Sequence, residues 1–243
     1  GGGQFRLLGT RRFGPLLLTQ FLGAFNDNLY KNALVVLVTF QAAQWTPMRP
    51  EILANLAAGL FILPFFFFSA TAGQLADKYD KALLARLTKL LEVGIMLVAI
   101  AGFLLHSLTL LLAALFLLGL QSTLFGPVKY AILPQHLDER ELVGGNAQVE
   151  AGTFVAILIG TLAGGLLAGA GVDAVWIALA GLGVAVAGYI ASRGIPDAPP
   201  PAPDLVVNVN PLTETWRNIG FARENRTVFL SMLGISWFWL YGA

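Results

Sequence analysis

Up to residue 194 the chain is a succession of long apolar runs with short polar breaks, at 13–40, 52–72, 87–105, 108–133, 145–170 and 172–192. Crossing the hydrocarbon core of a bilayer takes about 20 apolar residues, so the pattern predicts six transmembrane helices. Breaks at His106-Ser107 and at Gly171 are so short that the helices on either side must run antiparallel. Pro64, at the centre of the second run, predicts a kink there. From Ile195 the sequence turns to Ile-Pro-Asp-Ala-Pro-Pro-Pro, an extended linker. Residues 213–226 then place Trp216, Ile219 and Phe221 among Arg217, Arg223 and Arg226, a helix lying on a membrane surface. A seventh apolar run occupies 228–243 and is short. The protein is therefore expected to continue past Ala243, and the opening Gly1-Gly2-Gly3 without Met is not read as a natural start. The expected organisation is a six-helix bundle at 1–194, a cytoplasmic linker and surface helix at 195–226, and the start of a second bundle at 227–243.

Composition agrees. The chain of 243 residues is 56% hydrophobic and 12% charged, with a mean hydropathy of +0.72, which marks a polytopic membrane protein. A net charge of +1 gives no support for a nucleic-acid partner. The absence of cysteine excludes disulfides and thiolate chemistry, and two histidines without ligand-like spacing argue against a metal. No nucleophile–base pairing, phosphate-binding glycine loop or cofactor motif is present, so no enzyme is expected.

Polar residues interrupt the hydrophobic pattern at two depths. In the first run stands Phe25-Asn26-Asp27-Asn28-Leu29-Tyr30-Lys31-Asn32. Asp27 and Lys31 are four apart and share a helix face with Gln20 and Gly23. An ionised group at mid-bilayer costs at least about 2.5–3.5 kcal/mol, so this face must look into protein or a wet cavity. Asn26, Asn28 and Asn32 favour a polar cavity lining over a lone Asp27–Lys31 bridge. In the fourth run stands Gln121-Ser122-Thr123-Leu124-Phe125-Gly126-Pro127-Val128-Lys129-Tyr130. Pro127 frees backbone carbonyls, and Lys129 needs an anion, either Asp27 or a phosphate from outside, unless it snorkels to the headgroups. Glu150, in the fifth run, is expected to pair with Arg86, Lys89 or Lys129 near an inner gate. The Phe65–Phe68 stretch is an apolar wall, expected to face lipid.

Outside the spans, every Lys and Arg except Arg49 falls on one side if the N-terminus is inside. The positive-inside rule therefore places the N-terminus in the cytoplasm. The inner stretch 73–89 is dense in charge. Gly73 is expected to turn the backbone there, Asp77 to cap the next helix, and the cations, Arg86 among them, to face the inner leaflet.

Gly73-Gln74-Leu75-Ala76-Asp77-Lys78-Tyr79-Asp80-Lys81 resembles the G-x-L-A-D-[RK]-x-G-[RK]-[RK] loop of the major facilitator superfamily, with Asp80 where that family usually has glycine. The resemblance implies an all-α membrane fold whose N-terminal six-helix bundle is made of two three-helix repeats, with a seventh helix starting the other half. It also implies that the first and fourth helices line the cavity and that Asp77 latches the two bundles. Phe21 to Asn28, Phe125 to Tyr130 and Asn146 to Thr153 together are similar to the bacterial lysophospholipid transporter (LplT) family. That likeness implies movement of lysophosphatidylethanolamine-type lipids across the inner membrane for re-acylation. Its implied partners are membrane lipids, the missing second bundle, and a fused or associated acyltransferase and acyl-acyl carrier protein synthetase. No cofactor is implied. Asp27 and Lys129 match the family's polar cavity positions; Asn26, Asn28, Lys31 and Gln121 complete the candidate substrate set, and Gly73, Asp77, Arg86 and Glu150 the candidate gate. Two rival readings are a proton-coupled facilitator of a soluble solute or drug, working through Asp27, and a non-transporting scaffold that docks the acyltransferase.

Overall fold

The computed structural model describes residues 4–41 and 46–242, and among these all regular structure is helical. After a short 3-10 segment, Gln4–Gly9, come α1 (Gly14–Gln41), α2 (Pro50–Lys78), α3 (Lys81–Leu104), α4 (Leu108–His136), α5 (Glu139–Gly169) and α6 (Ala174–Ser192). Residues 195–210 are irregular and lead to α7 (Pro211–Glu224) and α8 (Arg226–Gly242).

Turn chemistry explains where the helices meet. Ser107 caps α4 by accepting from the Leu110 amide at 3.4 Å, while His106 before it takes the left-handed conformation with φ 50°. Gly171, at φ 76°, makes the α5–α6 turn. Asp173 then caps α6 through the Val175 amide at 2.8 Å. Before α5, the Asp138 amide donates to Glu141 at 3.0 Å. Glu141 also takes a two-pronged bond from Arg12, at 2.6 and 2.7 Å, which ties the N-terminal segment to the foot of α5. That bond holds the Arg12 guanidinium above its ordinary pKa.

One difference from expectation concerns the α2–α3 hairpin. The charged loop expected at 73–89 is instead a turn of two residues, Tyr79 and Asp80, between α2 and α3. Gly73 lies within α2, and Arg86 and Lys89 within α3. The charges there did not break the helices, because side chains leave the backbone ladder intact. Pro64 lies inside α2, which is helical on both sides of it.

The pairing of helices has an internal symmetry. The packed pairs are α1 with α5 and α2 with α4, α3 with α4 and α1 with α6, α1 with α2 and α4 with α5. Exchanging α1–α3 for α4–α6 turns each pair into another of the set, while α3 with α6 and α1 with α4 map onto themselves. Two three-helix repeats account for this. Five helices, α2 to α6, are long and apolar enough to span a bilayer alone. At 28 residues α1 is as long, but its polar belt keeps it outside that set; it is shielded instead by α5 and α6.

Close backbone approach fixes the two strongest pairings. On α5, a side chain at Gly160 would meet the Phe25 carbonyl of α1 at 2.5 Å, and one at Gly164 would collide with the Leu29 carbonyl. On α4, Gly119 lies as tightly against the Phe61 carbonyl of α2. Small residues that let backbones touch replace the hydrophobic drive that lipid cannot supply. Gly165, one residue on, faces open space. Gly164→Val is therefore expected to lower the melting temperature of the purified protein in detergent, by the equivalent of at least about 1–3 kcal/mol of overpacking. Gly165→Val should leave it within error; equal melting of the two variants contradicts this packing.

Candidate functional site

Successive residues on a helix are rotated by about 100°, so the belt Asn26-Asp27-Asn28 sends adjacent side chains to different neighbours. Asn26 donates through Nδ2 to Glu92 Oε1 of α3 at 2.8 Å. Asp27 accepts from the Ser122 hydroxyl of α4. Asn28 folds back on its own helix, to the Ala24 carbonyl at 2.8 Å, beside Gly160 of α5. Above and below, Asn32 donates to Thr161 of α5 at 3.1 Å and Gln20 accepts from Thr153 of α5 at 2.7 Å. Tyr30 reaches the Leu111 carbonyl of α4 at 2.9 Å.

Between α1 and α3 lies an ion pair that sequence reasoning missed. Lys89 and Glu92, three apart on α3, are 2.5 Å apart, with side chains 1% and 0% exposed. Lys89 packs so closely on α1 that any side chain at Gly23 would strike its ammonium, and it lies 5.6 Å from the centre of the Phe125 ring. The expectation that Lys89 faces the inner leaflet or pairs with Glu150 is corrected. The signal was available: the apolar pattern of the third run extends back through Ala82, Leu83 and Leu84, which puts Lys89 and Glu92 well inside one helix and one turn apart.

The expected pairing of Asp27 with Lys129 is not formed. Lys129 lies two turns further along α4 than Ser122, about 10.5 Å by helical rise. Its ammonium is 4.8 Å from the centre of the Tyr130 ring and interacts electrostatically with Glu150. Glu150 itself accepts from the Tyr130 hydroxyl, and neither Arg86 nor Lys89 reaches it among the described contacts. Lys31 rests 5.0 Å from the centre of the Phe61 ring of α2 and is within electrostatic reach of Asp27 without a close ion pair. Gln121 is buried, its amide oxygen 3.3 Å from the Ser122 hydroxyl.

These groups nevertheless share one surface. Ser122, Gly126 and Lys129 follow the i, i+4, i+7 spacing of a single face of α4, and all are part-exposed. A side chain at Gly126 would meet nothing within 4 Å. Lys31 and Glu150 are also part-exposed, and Asp27 sits at the rim, 6% exposed. Both signs of charge meet this surface at two depths: Lys31 and Asp27, one turn apart on α1 with Asp27 held by Ser122, and Lys129 with Glu150 about two turns further along α4. One oxygen of Asp27, Oδ1, is buried without a hydrogen bond. Phe65 to Phe68 of α2 are exposed, with Phe65 beside Phe61.

At the inner end the candidate gate takes an unexpected form. Asp80, not Asp77, caps α3, accepting from the Leu83 amide at 2.8 Å. Its second oxygen accepts from the Ala198 amide of the linker at 2.9 Å. The Lys81 amide donates to the Ala198 carbonyl at 2.9 Å, and the Ala202 amide to the Asp77 carbonyl at 3.0 Å. Arg86 donates to the Ile195 carbonyl at 3.0 Å and lies 3.7 Å from Asp197. Gln74 and the Asn208 backbone exchange two bonds, of 2.6 and 3.0 Å. Residues 195–208 thus form a strap across the α2–α3 hairpin. Gly73, with open space around it, neither turns the chain nor touches the strap.

Two exchanged three-helix repeats with five helices long and apolar enough to cross a bilayer define a multi-pass helical membrane protein. The chain belongs to the Major Facilitator Superfamily, whose pattern it matches over residues 16–243. It is 30% identical over 229 residues to the lysophospholipid transporter LplT of Enterobacter sp. (strain 638), an alignment covering 90% of this chain and 52% of that protein. It is 29% identical over 236 residues to LplT of Serratia proteamaculans (strain 568), covering 95% and 54%. Against LplT of Escherichia coli (strain SE11) it is 30% identical over 230 residues, covering 92% and 53%. The chain spans about half the length of the curated relatives it matches.

Two outcomes follow from this geometry. Removing one partner of a buried ion pair strands the other, at a cost of about 3–5 kcal/mol, whereas replacing both with apolar residues is often neutral. Lys89→Met and Glu92→Leu are each expected to depress the melting temperature far more than the double variant does; additive losses would mean that the two charges are not coupled. Asp80→Ala removes a cap worth about 1 kcal/mol together with the Ala198 anchor, so limited proteolysis within 195–210 should accelerate. Asp77→Ala, whose tie to the strap runs through backbone, should leave the cleavage rate unchanged.

Proposed function

We propose that the protein is a lysophospholipid transporter of the bacterial inner membrane, moving lysophosphatidylethanolamine-type lipids inward by alternating access, for re-acylation by an acyltransferase and acyl-acyl carrier protein synthetase. The observation that carries this reading is the meeting of cations and carboxylates at two depths of one part-open face, Asp27 with Ser122 above Lys129 with Glu150. A zwitterionic headgroup needs an anion for its ammonium and a cation for its phosphate. Asp27 meets the first need and Lys129 or Lys31 the second. Asn26, Asn28 and Gln121 set the walls: each is buried and bonded to its neighbours, so they orient Asp27 rather than touch lipid. The relatives, lysophospholipid transporters, support the same substrate class.

In this reading the N-terminus is cytoplasmic, 1–194 is the first bundle, 195–226 the inner linker and surface helix, and 227–243 the start of the second bundle. Residues Asp77 and Arg86, with Asp80, hold the strap at the inner gate, while Glu150 positions Lys129 through Tyr130. A second reading draws on the unbonded Asp27 oxygen: a proton carried there would couple transport of a soluble solute to the pH gradient.

The test is uptake of labelled lysophosphatidylethanolamine by the full-length protein in proteoliposomes. Asp27→Asn and Lys129→Gln are each expected to reduce uptake by roughly tenfold or more, the loss given by one charge-assisted hydrogen bond. Uptake equal to the parent protein in both variants removes this assignment. Solute uptake driven by a pH gradient, without lysolipid movement, establishes the second reading instead.

A further inference from the structure

α5 and α6 both pack against α1 but scarcely against each other. Where they splay, at the inner end, they leave a groove of about 740 Å3 floored by α1 and closed below by the 3-10 segment. Its size is that of an ordinary small-molecule site. Leu17, Leu18 and Phe21 of α1 and Ile190 of α6 give it an apolar bed, with Leu18 and Ile190 50% and 64% exposed. The groove is separate from the face that carries Asp27 and Lys129, none of whose residues lines it.

Its rim is cationic. Arg11 lines the mouth, and Arg193, the residue that ends α6, is next in the chain to the lining residue Gly194 without itself lining the groove; both arginines are exposed. At this same end of the bundle Arg12 is paired with Glu141 and Arg86 with Asp197. Arg11 and Arg193 form no ion pair among the described residues. An apolar trough at bilayer depth under two uncompensated guanidinium groups has the chemistry of a lipid with net negative charge, since basic pockets between transmembrane helices on the cytoplasmic side hold anionic headgroups. The planar fork of each guanidinium suits a phosphate oxygen pair. The zwitterionic substrate fits less well, because no carboxylate lines this groove to receive an ammonium.

We infer that the groove between α5 and α6 is a binding site for a resident anionic phospholipid, its acyl chain lying along Leu17, Leu18, Phe21 and Ile190 and its phosphate held by Arg11 and Arg193. The lipid wedges between the two helices where they lack direct contact. It is a structural ligand of the first bundle, distinct from the transported lipid.

The test uses the full-length protein in detergent micelles doped with equal amounts of phosphatidylglycerol and phosphatidylethanolamine, with bound lipid read by native mass spectrometry. Phosphatidylglycerol is expected to be retained in preference. Arg11→Gln and Arg193→Gln should each lower that retention roughly fivefold, the change that about 1 kcal/mol per basic residue near a headgroup gives. Arg11→Lys and Arg193→Lys keep the charge and should keep most of the lipid, which separates loss of the site from loss of the fold. Leu18→Trp, which fills the bed without touching either arginine, should also expel it. Equal retention of the two lipids overturns the proposal, as does parent-like retention in the Arg11→Gln/Arg193→Gln double variant.

Discussion

A polar side chain on a transmembrane helix has no water to fall back on, so each one on α1 must find its partner in protein. That requirement places α1 at the centre of the bundle. Asn26 engages α3, Asp27 engages α4, and Gln20 and Asn32 engage α5. Helical rotation alone distributes the three consecutive residues among these neighbours. A helix that was merely apolar would slide and rotate in lipid at little cost. One whose amides and carboxylate are bonded to three other helices has a single position, and the glycines of α5 bring the backbones close enough for those bonds to form.

The four mid-depth charges of α1 and α3 divide by how fully they are bonded. Lys89 and Glu92 are sealed between α1 and α3 and bonded to each other and to Asn26, so they have no free capacity for a ligand. Asp27 keeps one oxygen unbonded and Lys31 stays part-exposed. The sealed pair and the open pair are neighbours, with Asn26 and Asp27 adjacent in sequence. A change of charge at Asp27 is therefore felt by Glu92 through a short, dry path, where screening is weak. That proximity makes the sealed pair a counterweight that fixes the local field around the open one.

What the sequence made legible was the interruption of apolar runs. The pair Asp27 and Lys31, and Lys129, stand out because the rest of their runs is uncharged, and the six-helix pattern with minimal turns at His106 and Gly171 follows from hydropathy alone. Lys89 and Glu92 were hidden because they follow Asp77, Lys78, Asp80, Lys81 and Arg86; a dense run of charge looks like loop, and the start of α3 was placed six residues late. The pairing of Asp27 with Lys129 failed for a different reason. Each lies on a predicted cavity helix, but depth along the two helices depends on where each begins, and a shift of two turns separates charges that a residue list puts side by side. The docking of the linker was not legible at all: proline content shows that 195–203 is extended, while the carbonyls it offers to the hairpin are a matter of tertiary placement.

The strap fixes the course of the chain between α6 and α7. A free linker of this length would leave α7 loosely tethered, since flexible loops cost little to lengthen. Here the chain is bonded to the hairpin at Ala198, Ala202 and Asn208, and Asn208 in turn contacts Glu214 of α7 at 3.3 Å. Much of that attachment is through backbone groups, so it tolerates side-chain change at most positions. The side chains of Gln74 and Arg86 also hold it, but in Asp80 one carboxylate both starts α3 and holds the strap. The family's glycine at this position does neither. In this chain the stability of the helix start and the attachment of the linker are thus one quantity.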